Sequence, residues 1–227
     1  MQEPPRAGLF LFGEPYLYPP TLHAATVLAK AGWQVRILGM RIPGVVQWPL
    51  AGGIKVEYLG DLSKGFALRR QYAHFVYRCT KRARQGRFRG VIGYDIMGAF
   101  PAYLAARACQ ARFIYHNHDL MLRSDTRWCF YRGVKLLEEF SARHAEAVVF
   151  PQRERAEIFS SEAKLKTAPL VVYNCPLRDW AEQASNLTEE LLRWKAKQER
   201  VILYQGGFLE HRGILTLIRS MEDWDFR

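Results

Sequence analysis

The chain has 227 residues, 49% of them apolar, and 33 Lys/Arg stand against 22 Asp/Glu for a net charge of +11. That length and composition support a sizeable buried core in one or two domains, and they exclude a disordered tail or a small disulfide-stapled scaffold. The charge excess favours an anionic partner such as phosphate esters, nucleic acid or an acidic membrane face.

The first fifteen residues lack the basic start, apolar run and small-residue cleavage site of a secretory signal, and no uncharged stretch approaches the roughly 20 residues that cross a bilayer. A cytoplasmic location is expected. Cys79, Cys109, Cys129 and Cys175 show no C-x-x-C spacing, so reduced, packed thiols are expected. The glycosylation sequon at Asn186 would then go unused.

In chain order, "GLFLFG" at 8–13 predicts a strand that breaks at Gly13 and Glu14, and Pro20 precedes a helical pattern over 21–31. "WQVRIL" at 33–38 predicts the next strand. From Ser63 to Gly90 there are nine Lys/Arg and no Asp or Glu. Within that segment Leu68, Tyr72, Phe75, Val76, Cys79 and Ala83 form the stripe of an amphipathic helix over 67–85 whose other faces are basic. Two readings stand: a solvated face on a core-packed helix, or docking on an anionic membrane surface through Arg69, Arg70, Arg78, Lys81, Arg82 and Arg84.

Further strands are predicted at 90–94, 112–116, 147–150 and 170–173, separated by helical patterns at 99–110, 128–144 and 153–160. Strands alternating with helices make βαβ units, whose right-handed crossovers give an α/β fold with a Rossmann-like, doubly wound parallel sheet. Ligands bind such sheets beyond the carboxyl ends of the strands. That rule singles out three polar breaks: Gly13-Glu14, Asp95, and the run His116-Asn117-His118-Asp119.

The H-x-H spacing of His116 and His118 puts two imidazoles on one side of an extended segment, as zinc hydrolases use with carboxylates. Yet His23, His74, His144 and His211 are isolated, and Leu120 and Met121 occupy the last two places of an H-x-H-x-D-H pattern. The sequence therefore predicts no metal, and leaves a sugar-facing role beside that of satisfied structural histidines. Asp95 has its own bland alternative as a helix cap.

Beyond "YNCP" at 173–176 comes a polar stretch with a helix near 188–198, capped by Ser185 or Asn186, and then "VILYQGGFLEHRGILTLIRSM" reads strand, glycine loop, helix. The expected organisation is a domain over 1–178, a linker and connecting helix over 179–199, and the start of a second, incomplete domain over 200–227. No G-x-G-x-x-G and no G-x-x-x-x-G-K-[ST] occurs, so the Gly206-Gly207 pair is not a dinucleotide or P-loop fingerprint.

The order of Gly13 after the first strand, Asp95 before an Ala-rich helix, "YHNHD", "FSARHAEAVVFPQRERAEIF", "YNCP" and "YQGGFLEHRGILTLIRSM" resembles the GT-B glycosyltransferases, particularly the group 1, family-four-like class of retaining, nucleotide-sugar-dependent enzymes. The resemblance spans nearly the whole chain and about half of a full enzyme. It implies an acceptor site shaped by the first domain and a nucleotide-sugar donor held mostly by the second, with no further cofactor. It also implies a saccharide or lipid-linked acceptor, and no specific nucleic acid.

On this resemblance His118 and Asp119 lie near the transferred sugar, with His118 stabilising charge near the anomeric centre. Gly13, Glu14, Asp95, His116, Asn174, Gly206, Gly207 and Arg212 line the substrates. Arg212 takes the place of the family's usual lysine in a Lys-Gly pair, facing the leaving diphosphate. Gly207 stands where the family often has an arginine, and the acidic motif of the second domain lies outside these 227 residues. Residues 1–227 alone are therefore expected to be inactive. The alternative reading is a non-catalytic basic domain binding anionic membrane or nucleic acid.

Overall fold

In the computed structural model, residues 3–63, 67–126, 129–175, 192–193, 204 and 213–224 are described. The chain divides into two compact units, Met1–Leu177 and Arg178–Arg227. The first holds seven strands: β1 (Arg6–Leu11), β2 (Gln34–Arg41), β3 (Ile54–Asp61), β4 (Gly90–Tyr94), β5 (Arg112–His116), β6 (Ala147–Phe150) and β7 (Leu170–Val171). They form one sheet in the order β3-β2-β1-β4-β5-β6-β7, and every pairing is parallel. The α/β, Rossmann-like fold expected from the sequence is the one observed.

Among the described residues five helices accompany the strands: α1 (Pro19–Lys30), α2 (Ala67–Gly86), α3 (Asp95–Cys109), α4 (Cys129–Arg143) and α5 (Arg153–Ala163). The chain winds outward from β1 to β3, then α2 carries it back to β4 on the other side of β1. The winding direction thus reverses between β1 and β4, and a crevice opens there beyond the strand ends.

β3 was not anticipated. "IKVEYLGD" places Lys55 and Glu57 in a half-exposed strand at the sheet edge, where one neighbour and solvent replace the continuous apolar environment of β1. Helix α3 begins at Asp95 rather than near Ala99, because the glycine in "DIMG" permits close packing instead of breaking the helix. A Cβ at Gly98 would stand 2.6 Å from the Phe10 carbonyl oxygen, and one at Gly93 would stand 2.6 Å from the Ala102 Cβ. With Ala99, Ala102, Ala105 and Ala106 buried, α3 lies directly on the sheet.

The stripe on α2 behaves as its spacing predicts: Tyr72, Phe75, Cys79 and Ala83 are buried. Phe12, just past β1, meets Tyr72 and Phe75 edge-on at 5.6 and 5.2 Å between ring centroids. Burying a large apolar side chain of this kind contributes about 1.5–3 kcal/mol. Helix α4 is the exception to apolar-inside patterning, since it buries Lys135, Glu138 and Glu139 while Leu136 is exposed. All four cysteines are free, but Cys129 and Cys175 are exposed rather than packed as expected.

In the second unit the described elements are a helix over Ile214–Ser220, entered through a left-handed Gly213 (φ 68°), and a 3-10 turn over Met221–Asp223. The helix expected near 188–198, the strand at its 201–203 portion, and Gly206, Gly207 and Arg212 lie outside the described residues, save for Leu192, Arg193 and Tyr204. No described helix is long and apolar enough to cross a membrane.

Candidate active site

Because β1, β4 and β5 are neighbours, the three polar breaks named by the sequence emerge side by side at the carboxyl edge. After β1 the chain turns at Gly13 and Glu14 into a 3-10 turn over Pro15–Leu17. Glu14 is completely buried, and its carboxylate accepts hydrogen bonds from the Tyr58 hydroxyl (2.7 Å), the Ile42 amide (3.0 Å) and the Tyr16 amide (3.4 Å). Expected as a substrate contact, Glu14 borders the cleft described below while its carboxylate ties the ends of β1, β2 and β3 together. Burial, with the bond to Glu14, holds the Tyr58 phenol well above its ordinary pKa, so it stays a donor.

This turn fits only because β2 carries Gly39. A Cβ there would lie 2.6 Å from Pro15 Cγ and 3.0 Å from the Gly13 carbonyl oxygen. The Met40 amide donates to that same Gly13 oxygen at 2.9 Å.

Asp95 opens α3 in a left-handed conformation (φ 55°). Aspartate tolerates that region better than most residues, but the strain is of order 1 kcal/mol and needs a compensating contact. One Asp95 oxygen, Oδ1, accepts the His118 amide at 2.6 Å and the Asp119 amide at 3.3 Å, while Oδ2 stands 3.5 Å from His118 Nδ1. Asp95 is therefore a bracket for the turn after β5, and no side chain caps the start of α3.

The other side of the same turn is held by Arg155 in the first turn of α5, whose Nη1 donates to the His118 carbonyl at 2.7 Å and lies 3.9 Å from Asp119 Oδ1. The sequence reading missed Arg155, which stands in a helix start rich in ordinary surface charge.

The His118 side chain is 7% exposed and stacks on Tyr94 at 5.2 Å, with its ring 4.5 Å from that of His116. Neither ring nitrogen of His118 has a hydrogen-bond partner among the described residues, nor has His116 Nε2. Burial, with His118 as a neighbouring imidazole, lowers the His116 pKa to about 4, so His116 is neutral near pH 7. Asp119 differs: its side chain is 87% exposed. Tyr18 covers Gly13, and burial together with Asp95 and Asp119 raises the Tyr18 phenol.

Behind the turn lies a polar network the sequence reading did not foresee. Asn117 Nδ2 donates to the Tyr115 hydroxyl at 2.8 Å, and that hydroxyl donates to Glu138. Lys135 Nζ stands 2.9 Å from Glu138 and 3.7 Å from Glu162, and 4.7 Å above the Phe159 ring. Burial raises the Glu138 carboxyl, against the opposing pull of Lys135. Arg123 forks onto Glu139. Only the run of charges on α4 could have signalled this, and charges at such spacing ordinarily read as a solvated face.

Gly13, Glu14, Tyr18, His118, Asp119 and Asn174 line one cleft of about 540 Å³. Asp95 and His116 stand behind His118 as support. Among the described residues no group of three His, Cys, Asp or Glu converges to hold a metal ion. Chemically, the cleft offers the His118 imidazole, whose Nε2 has no partner among the described residues, a solvent-facing carboxylate and polar backbone, all on rigid strand ends, which suits hydrogen bonding to a polyhydroxyl ligand.

Residues 20–175 match the glycosyl transferase 4-like domain family. The chain belongs to that family. Among solved structures, this glycosyltransferase domain is similar to sucrose-phosphate synthase from Thermosynechococcus elongatus, over 96% of its own length and 60% of that chain (TM-score 0.70, 15% identity). It is also similar to Phytolacca americana UGT2 complexed with UDP-2fluoro-glucose and pterostilbene, over 98% and 65% of the two chains (TM-score 0.64, 15% identity). Anabaena HepE in complex with UDP-glucose aligns over 82% and 49% (TM-score 0.54, 13% identity).

At these identities the likeness is one of fold, namely GT-B. The chain spans 60% of the synthase's length. No curated protein matches it.

Proposed function

We propose that the chain is the acceptor-side part of a retaining glycosyltransferase that moves a sugar from a nucleotide-sugar donor to a saccharide or lipid-linked acceptor. The observation that carries the reading is the Asp95 bracket, in which a strained residue at the sheet's switch point fixes His118 with Nδ1 turned to the Asp95 carboxylate and Nε2 without a partner among the described residues. The cleft beside it matches where the fold's ligands gather. Neighbours crystallised with UDP-glucose or UDP-2fluoro-glucose support a nucleotide-sugar donor.

In this mechanism His118 donates a hydrogen bond to a sugar hydroxyl near the anomeric centre, and Asp119 accepts one from solvent-side hydroxyls. His116 supports His118, while Gly13 and Asn174 border the sugar or acceptor. Gly206, Gly207 and Arg212 would meet the donor diphosphate from the second unit. Positioning of donor against acceptor needs both halves, and the chain's 60% span of the synthase supports the reading that residues 1–227 alone do not transfer sugar.

The test has two arms. In a full-length or complemented enzyme, His118→Ala lowers turnover at least tenfold with folding intact, and full activity in that variant removes His118 from the mechanism. Purified 1–227, offered a panel of nucleotide sugars with saccharide and lipid acceptors, yields no glycoside, and robust turnover overturns the need for a second half.

We propose as a second reading that the basic face of α2 docks on an anionic membrane. Arg70, Lys81 and Arg84 are exposed on α2 around Tyr77, itself 65% exposed. Arg69, Arg78 and Arg82 are less available: Arg69 lies 5.8 Å over the Phe130 ring, Arg78 donates to the Leu59 carbonyl, and Arg82 pairs with Glu57. Binding to anionic vesicles that falls steeply with salt, and weakens on reversing the charge of Arg70 and Lys81, is the expected result. Salt-independent binding to neutral vesicles removes the proposal.

A further inference from the structure

The amino edge of the sheet, opposite the crevice, carries a second cleft of about 470 Å³ lined by Arg84, Arg87, Arg89, Arg112, Phe88 and Gln110, together with Cys109. Among the described residues no acidic side chain lines it. The arginines come together through the fold. Arg84 sits in the last turn of α2, Arg87 in a left-handed turn (φ 48°), and Arg112 is the first residue of β5. The Arg112 amide donates to the Arg89 carbonyl at 3.1 Å, and the Arg89 amide to the Arg6 carbonyl at 2.8 Å, so three arginine backbones sit on adjacent strand starts. Arg112 stands opposite Gly90 in the β4–β5 register, so the arginines gather by lining one cleft from different elements rather than by facing one another across the sheet.

Two partners subtract from the positive charge. Arg112 pairs with Glu146 at 3.5 Å, both side chains exposed. The carboxyl ends of α2 and α3 also close on this cleft, each equivalent to roughly half a negative charge. A surplus of about two positive charges remains, held by Arg84, Arg87 and Arg89, which have no side-chain hydrogen bond or ion pair among the described residues. Offsetting helix dipoles explains a basic residue in the last turn, such as Arg84, but not Arg87, Arg89 and Arg112, which lie beyond it. Phe88, 4% exposed, fixes the floor between Arg87 and Arg89.

We propose that this cleft is a binding site for a phosphate-bearing anion, separate from the sugar crevice and independent of the sugar transfer proposed above, though it shares Arg84 with the basic face of α2. Guanidinium forks match phosphate oxygens in bidentate geometry, and several forks converging from different elements select a group with oxygens on more than one side, as a diphosphate has. The volume falls within the range of about 300–1,000 Å³ typical of small-molecule sites. The phosphate can belong to a soluble ester or to a lipid headgroup.

The experiment titrates the 1–227 chain with inorganic pyrophosphate by calorimetry, and separately with phosphatidylcholine vesicles with and without phosphatidylglycerol. It compares the wild type with R87Q/R89Q and with R70Q/K81Q on the outer face of α2. Thermal melting checks that each variant folds.

Saturable pyrophosphate binding that weakens at least tenfold in R87Q/R89Q but less than twofold in R70Q/K81Q establishes the site with a soluble ligand. Failure to saturate with pyrophosphate, but anionic-vesicle binding that is lost in R87Q/R89Q and kept in R70Q/K81Q, establishes it with a lipid source. Pyrophosphate and vesicle binding both absent, or both unchanged in R87Q/R89Q, overturns the proposal and leaves a solvated arginine rim.

Discussion

The two edges of one sheet use charge in opposite ways. At the carboxyl edge two carboxylates are committed within the fold: Glu14 serves Tyr58, Ile42 and Tyr16, and Asp95 serves the amides of His118 and Asp119. At the amino edge, Arg84, Arg87 and Arg89 are exposed and carry no such bonds among the described residues. The first edge holds geometry, because a carboxylate with several donors fixes backbone. The second holds potential, because solvated guanidiniums stay mobile until an anion collects them. Stability should therefore respond sharply to changes on the carboxyl side and barely to changes on the amino side.

The largest effect belongs to the charges beneath the crevice. Lys135→Ala leaves Glu138 and Glu162 without their cation in a buried setting, and should cost about 3–5 kcal/mol in chemical denaturation. A loss under 1 kcal/mol would mean that water reaches the network and would blur the contrast between the edges.

Next comes acid. The folded pKa of His116, about 4, lies below its unfolded value, so the unfolded chain binds more protons between these two values. Stability from this group is complete above about pH 6.5 and falls as pH drops towards 4, by on the order of 3 kcal/mol. Denaturation midpoints measured from pH 7 to 4 should fall less in His116→Phe than in the wild type; parallel curves would assign the acid sensitivity elsewhere.

A smaller effect is expected at Asp95. Asp95→Ala strips the acceptor from two amides and keeps a side chain at φ 55°, costing about 1–3 kcal/mol. Asp95→Gly also loses the carboxylate but relieves the left-handed strain, so it should be the milder of the two. If both variants denature alike, the backbone conformation there is unstrained.

The smallest effect is expected across the sheet. Arg89→Ala should change stability by no more than about 0.5 kcal/mol, as surface substitutions do. A larger loss would show that the amino edge, too, has structural commitments.

Much of this fold was legible in the chain. Alternating strand and helix patterns announced the parallel sheet, the α2 stripe announced its buried face, and the abrupt turn from apolar to polar after "RFIY" marked the crevice at His118. These signals are local: periodicity and strand ends depend on a few consecutive residues. β3 escaped because an edge strand is only half buried, and its pattern keeps the charges a loop would have.

What only the tertiary structure decided is which polar groups meet. Asp95 and His118 are 23 positions apart, His118 and Arg155 37 apart, and Glu14 and Tyr58 44 apart. Strand order alone brings them together, and it committed the carboxylates of Glu14 and Asp95, both expected as substrate contacts, to donors within the fold. It likewise set Arg89 beside Arg112 at the far edge, where their spacing in sequence gave no sign of a common cleft. A sequence shows the type and burial tendency of each charged side chain, but its partner is fixed by the packing of elements far apart along the chain, and with it whether the charge holds the structure or waits for a ligand.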